Sequence, residues 1–272
     1  MNEIMSDRPP APIESTAFQV GAATPGWREG IVVLAMVLAP VGLAIILTTA
    51  AGFALAGWQI VRGLPVDMPT RAEFQLLGMA FYVAGSWISV TAAWLWSSRR
   101  GLRRNVFIFR GLTWPALAAS LAGFVIAMYS APIATHWLSD IAGGDGLGKA
   151  RIDFHGAHAT AIYILLFVMT APLCEEILYR GLLVAWLRRA GFGDPTIWLT
   201  GSLLFGANHI LPLGLVWGTV MVGFGAILFA IRLRYSSLTP AWLTHFLFNA
   251  QPVLILPLIK RIAPAIHPGI FS

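Results

Sequence analysis

Long apolar blocks alternate along the chain with short polar connections. Seven blocks stand out. The first runs from about Ile31 to Gly57, the second from Phe74 to Trp96, and the third from Trp114 to Ile133 with Pro115 near its start. The fourth, Ala159 to Trp186, contains Pro172, which predicts a kink because proline lacks an N–H and crowds the preceding turn. The fifth covers Thr196 to Leu211. Pro212 divides it from the sixth, which continues to Ile231, and the seventh is Leu238 to Leu258. Uncharged apolar stretches of about 18 residues or more read as helices crossing the hydrocarbon core of a membrane. The fifth block is short for a span of about 20 residues, so tilt or shielding by protein is expected there.

These blocks predict an all-α fold, a polytopic transmembrane helical bundle of about seven spans. The chain divides into a polar lead-in (1–30), N-terminal transmembrane helices (31–134), an extracytoplasmic connection (135–158), a second group of transmembrane helices (159–258) and a C-terminal tail (259–272). The lead-in lacks a basic start followed by an apolar stretch, so a cleaved signal peptide is not expected.

Composition agrees with a membrane address: of 272 residues, 57% are hydrophobic and 11% charged. Soluble domains carry about 25% charged residues. The net charge of +6 would fit nucleic acid, but the arginines fall in short runs between apolar blocks and form no basic face with interleaved aromatics. Nucleic-acid binding is therefore not expected, and contact with anionic membrane lipids is.

The arginine runs also set an orientation. Arg99, Arg100, Arg103, Arg104 and Arg110 crowd the second connection, Arg188 and Arg189 follow the fourth block, and Arg232 and Arg234 follow the sixth. With seven spans all three runs share one side, which the positive-inside rule makes the cytoplasm. A multi-pass cell-membrane protein with a cytoplasmic amino terminus follows, and Lys260 and Arg261 sit on the opposite side as a minor exception. The connection 135–158 holds Asp140, Asp145, Asp153, His136, His155 and His158. They read as solvated loop residues; the alternative reading is a metal site at His155 and His158, three apart. The Gly214 and Gly218 pair has the spacing of close helix packing. The single cysteine, Cys174, reads as a small buried thiol.

All but two of the twelve acidic residues lie outside the apolar blocks. The exceptions are Glu175 and Glu176, in the fourth block with Arg180. A carboxylate in a bilayer costs at least a few kcal/mol, so it faces protein or water and is a functional candidate. Glu176 and Arg180 are four apart and share a helix face, which predicts an ion pair. Glu175 lies about 100° further round the helix and is the carboxylate left for chemistry. His209 stands four residues after Phe205, and His245 four before Asn249. Counted from the ends of their blocks, Glu176 and His209 both lie on the order of 20 Å from the arginine-rich edge. Six polar groups from three blocks at similar depth predict a shared polar cavity.

A carboxylate acts as general base toward water, with an imidazole orienting that water. A second imidazole and an amide stabilise the oxyanion that forms on an attacked carbonyl. Glu175 and His209 fit the first task, and His245 and Asn249 the second. Other designs fit less well. No HExxH string is present, Ser202 lies two turns from His209, and no aspartate lies inside a block. A metal triad of His209, His245 and Glu175 remains an alternative without supporting spacing.

These residues resemble the CAAX-protease and bacteriocin-processing family of glutamate-type intramembrane peptidases, which includes the Abi proteins. Its EExxxR motif appears as Glu175, Glu176 and Arg180, its FxxxH as Phe205 and His209, and its HxxxN as His245 and Asn249, in order, over roughly 159–258. The resemblance implies a conical cavity open to the cytoplasm. Glu175 is then the base, His209 its partner, and His245 and Asn249 the oxyanion hole. Glu176 and Arg180 support the site, with no cofactor and no metal. It further implies a membrane-associated peptide or protein as substrate. In eukaryotic members this is a prenylated CaaX tail, and nothing in this chain identifies prenyl recognition. Two other functions are compatible with the residues. One is a non-proteolytic scaffold or regulator of another membrane protein that keeps the fold. The other is a proton-coupled transporter relaying protons through the buried charges.

Overall fold

The computed structural model describes residues 25–142 and 157–258. Most of the lead-in, Asp145, Asp153 and His155 of the connection, and the tail 259–272 lie outside the described residues.

Every regular element among the described residues is helical, in the order α1 (Trp27–Val61), α2 (Arg71–Arg99), the short α3 (Arg103–Val106), α4 (Trp114–Ile141), α5 (Ala157–Tyr163), α6 (Ala171–Glu175), α7 (Val184–Arg189), α8 (Asp194–Leu213), α9 (Leu215–Tyr235) and α10 (Thr239–Ala250). Two π-helical stretches, Ile164–Thr170 and Glu176–Leu183, join α5, α6 and α7 into one rod, and a third, Gln251–Ile255, extends α10. Local chemistry marks the starts. Thr70 and Glu73 form a reciprocal capping box on α2, and the Thr113 side chain caps α4 with Pro115 in its first turn.

Six of the described helices are long and apolar enough to cross a membrane: Trp27–Val61, Glu73–Arg99, Trp114–Ile141, Thr160–Arg189, Leu215–Tyr235 and Thr239–Leu258. The topology is that of a multi-pass membrane protein. The fifth apolar block forms α8, which is not among the six. Its 20 residues include Asp194, Asn208, His209 and Pro212, which dilute its apolarity. At 1.5 Å per residue α8 still runs about 30 Å and packs along α9 over much of its length. Gly218 and Gly206 permit that approach, since a Cβ on either would strike the opposite helix. Gly214 has a different role from the packing expected of it. With φ of 86° it forms the hinge between α8 and α9, a conformation open to glycine.

Pro172 sits in the first turn of α6, directly after the π-helical stretch Ile164–Thr170. The wider turn accommodates the ring, and the Thr170 hydroxyl donates to the Leu165 carbonyl at 2.7 Å.

Side-chain contacts gather the arginine-bearing ends at one face. Glu29 at the start of α1 pairs with Arg100 at 3.1 Å and with Arg189 at 3.8 Å, and Arg188 pairs with Asp194 at 3.0 Å. The second connection folds back over this face: Leu238 N–H donates to the Ile108 carbonyl, and the Thr239 hydroxyl donates to that of Arg110. Its Leu102 and Val106 enter the main core beside Leu182, Phe205, Phe229 and Leu238. Arg232 departs from its expected place among the loop anchors. It is buried, and its Nε donates to the Arg180 carbonyl at 2.9 Å. The outer surface is apolar, with Ile46, Phe53 and Val61 among its exposed side chains, as lipid contact requires.

Candidate active site

The fourth span carries two consecutive carboxylates, Glu175 and Glu176, at the point where α6 passes into the second π-helical stretch. π-Bulges of this kind recur at functional sites. Glu176 is fully buried, and the guanidinium of Arg180 donates from Nη1 to its Oε1 at 3.1 Å. Arg180 is itself fully buried, with its Nη2 reaching the Gly225 carbonyl at 3.4 Å. Its charged carbon lies 4.2 Å from the Phe205 ring centroid and 4.5 Å from that of Phe229, so cation–π contact supplements the ion pair. Removing one partner of such a pair costs about 3–5 kcal/mol, because the other is left charged and buried. This turn is the rigid base of the site.

His245, from α10, lies against both glutamates. Its Nδ1 is 2.9 Å from Glu176 Oε1 and its Nε2 is 3.8 Å from Glu175 Oε2. With Glu176 ionised against Arg180, Nδ1–H is the donor, which orients the ring and turns Nε2 toward Glu175. Phe224 and Phe205 meet the ring edge-on, with centroids 5.2 and 5.9 Å away. His245 was expected to share a polar cavity with the glutamates and to act beside Asn249; the fold ties its ring to Glu176.

Glu175 is 4% exposed, and its Oε1 accepts the Tyr82 O–H at 2.7 Å. Tyr82 was not among the sequence candidates. It comes from α2, in a part of the chain with no motif, and a lone tyrosine in an apolar block carries no signal of its partner.

His209 follows Phe205 by one turn of α8. Its Nδ1 is 2.6 Å from the Phe205 carbonyl, so Nδ1–H donates there. In the neutral ring Nε2 then carries the lone pair and accepts a proton. Asn249 donates from Nδ2 to the Phe167 carbonyl at 2.9 Å, which ties α10 to the first π-helical stretch. Ser202 Oγ donates to the carbonyl of Trp198 in its own helix at 2.6 Å.

Glu175, His209, His245 and Asn249 all line one cavity of about 710 Å³. Phe205, Glu176 and Arg180 stand behind it and hold the lining in place. The remaining lining is apolar or uncharged, including Phe167, Trp217, Met221 and Phe248. Among the described residues, no three His, Cys, Asp or Glu side chains are grouped to hold a metal ion. In the connection, His136 and Asp140 form an exposed contact at 3.6 Å, and His155 lies outside the described residues.

The lining has a direction. Thr160 and Tyr163 stand at the start of the fourth span, Leu213 at the end of α8, Trp217 at the start of α9, and Leu256 and Pro257 at the end of the last span. All are ends remote from the arginine-rich face.

Residues 157–251 match a family described as Rce1-like, type II CAAX prenyl endopeptidase. The match takes in every residue of the three motifs and about a third of the chain, and it supports an assignment at family level. No curated protein and no solved structure matches the chain.

Proposed function

We propose that this chain is an intramembrane endopeptidase that hydrolyses a peptide bond of a membrane-associated substrate with water activated by Glu175. The observation that carries the reading is the common cavity: a carboxylate, two imidazoles and an amide from three helices line one space inside the matched segment. Glu175 takes a proton from water as the oxygen attacks the carbonyl carbon, and His209 Nε2 accepts a hydrogen bond from the same water. His245 Nε2 and the second N–H of the Asn249 amide face the developing oxyanion. That task requires a proton on Nε2 of His245 as well as on Nδ1. Collapse of the tetrahedral intermediate breaks the C–N bond, and the proton held by Glu175 passes to the leaving amine. One water is consumed, and a carboxylate and an amine result.

Glu176, Arg180 and Phe205 position the lining and touch no substrate. The arginine-rich face is cytoplasmic, with the amino terminus on that side. The purified protein in lipid, offered a peptide library that includes prenylated peptides, is expected to cleave. Glu175→Gln and His209→Ala should each abolish the activity, and cleavage that survives both substitutions sinks the mechanism.

One observation favours a second reading. Glu175 and Asn249 already hold partners in the bundle, Tyr82 and the Phe167 carbonyl, as a purely structural polar core would. A scaffold of that kind keeps its cellular phenotype in Glu175→Gln. Loss of phenotype at normal protein levels excludes it.

A further inference from the structure

We infer that the cavity opens on the extracytoplasmic face, and that this chain takes uncharged, apolar peptide segments presented there, not tails delivered from the cytoplasm. The substrate part rests on the peptidase reading above; the direction of the opening does not.

Two independent features carry the direction. The first is where the bundle is closed. On the arginine-rich side of Glu175 the helices pack without a gap: Arg180, Phe205, Leu228 and Phe229 are 0% exposed and Phe224 is 3% exposed. Behind them the second connection inserts Leu102 and Val106 into the core, and Gly181 meets the Val106 carbonyl so closely that a Cβ there would strike it. A peptide arriving from this side meets a sealed wall. On the other side the lining continues through Thr160, Leu213 and Trp217, which are half-buried, to Pro252 and Pro257, which are exposed.

The second feature is charge. The sealed face carries Arg28, Arg99, Arg100, Arg103, Arg104, Arg110, Arg188, Arg189 and Arg234 against Glu29 and Asp194. By the order of the spans, the connections on the other side hold Arg62, Arg71, Lys149, Arg151, Lys260 and Arg261, fewer basic residues than the sealed side carries. Such asymmetry in short connections puts the sealed face in the cytoplasm and the open one outside.

The chemistry of the lining limits the ligand. Among the described residues, no charged side chain beyond Glu175 and the two histidines borders the cavity. Tyr163, Phe167, Trp217, Phe248 and Leu256 offer aromatic and aliphatic surface, so charged residues next to the scissile bond would be desolvated without a partner.

The direction is tested with the full-length chain in spheroplasts. In a Cys174→Ala background, Thr160→Cys, Leu213→Cys and Pro257→Cys report on the opening and Arg104→Cys on the sealed face. A membrane-impermeant maleimide is expected to label the first group on intact spheroplasts and Arg104→Cys only after permeabilisation. Because a buried thiol can escape the reagent, alkaline phosphatase is also fused after Ser272, where it should be active. A Green fluorescent protein fusion at the same point should be dark. Labelling of the first group only after permeabilisation overturns the inference, as does an inactive phosphatase with no labelling of that group.

The substrate class is tested by adding an apolar peptide that the purified enzyme cleaves to spheroplasts expressing the protein. Cleavage outside the sealed cell, abolished by Glu175→Gln, is expected. Cleavage by the purified enzyme but not from outside overturns the inference and leaves the peptidase reading intact. Correct labelling with no cleavage under any condition removes the peptidase reading and the substrate part, and leaves the orientation standing.

Discussion

The Tyr82 hydroxyl donates to Oε1 of Glu175 at 2.7 Å, a bond from the second span to the fourth that leaves Oε2 as the oxygen facing His245. It fixes the rotation of the carboxylate about its final bond, and with it the direction from which a proton is taken. Tyr82→Phe removes one hydroxyl and nothing else. A hydrogen bond to a charged group is worth about 1.5–3 kcal/mol, or roughly 10- to 100-fold in rate if it acts on the reacting carboxylate. Steady-state kinetics on a cleaved peptide should show that loss in kcat with KM little changed. A change confined to KM or to thermal stability would remove the positioning role.

Arg180 and Glu176 form a pair from which water is excluded. Arg180→Leu is expected to lower stability by about 3–5 kcal/mol, read as lost monodisperse protein and a lower unfolding temperature in detergent. The double variant Glu176→Gln with Arg180→Leu should recover part of that loss, because no unpaired charge remains. Equal or greater damage in the double variant would contradict the account.

Asn249 has two separable tasks. If its amide only ties α10 to the Phe167 carbonyl, Asn249→Ala costs about 1 kcal/mol of stability and leaves kcat near normal. As an oxyanion donor it should cost about 100- to 1,000-fold in kcat. The larger effect is expected, and a pre-steady-state measurement of the bond-breaking step distinguishes the two.

Gly206 and Gly218 let α8 and α9 touch. A Cβ on Gly206 would strike Val222 and come within 2.6 Å of the Gly218 carbonyl oxygen, which is backbone and cannot swing aside. Gly206→Ala should displace His209, one turn further along α8. The expected result is lost activity with a marked fall in unfolding temperature. Gly223→Ala, with nothing within 4 Å of its Cβ, is the matched control and should change neither.

Some of this protein is determined by the chain read in order. Apolar length marks the membrane helices, because only about 18 or more residues cross the hydrocarbon core. The i,i+4 relationships follow from the helix repeat, and so Glu176 with Arg180, Phe205 with His209, and His245 with Asn249 were legible as pairs. The arginine runs show a charge asymmetry in any fold with the same number of crossings. Other relationships exist only in the tertiary structure. A membrane helix is apolar around its whole circumference, so its sequence does not say which side faces a neighbour or how far it is rotated. That rotation brings Tyr82 to Glu175 across 93 residues, ties His245 to Glu176, and buries Arg232 against the Arg180 carbonyl. It also decides where the bundle closes. The motifs specify the groups around the cavity, but its direction depends on how Val106, Phe205 and Phe229 pack on the arginine side, a property of helices in contact that no single helix carries.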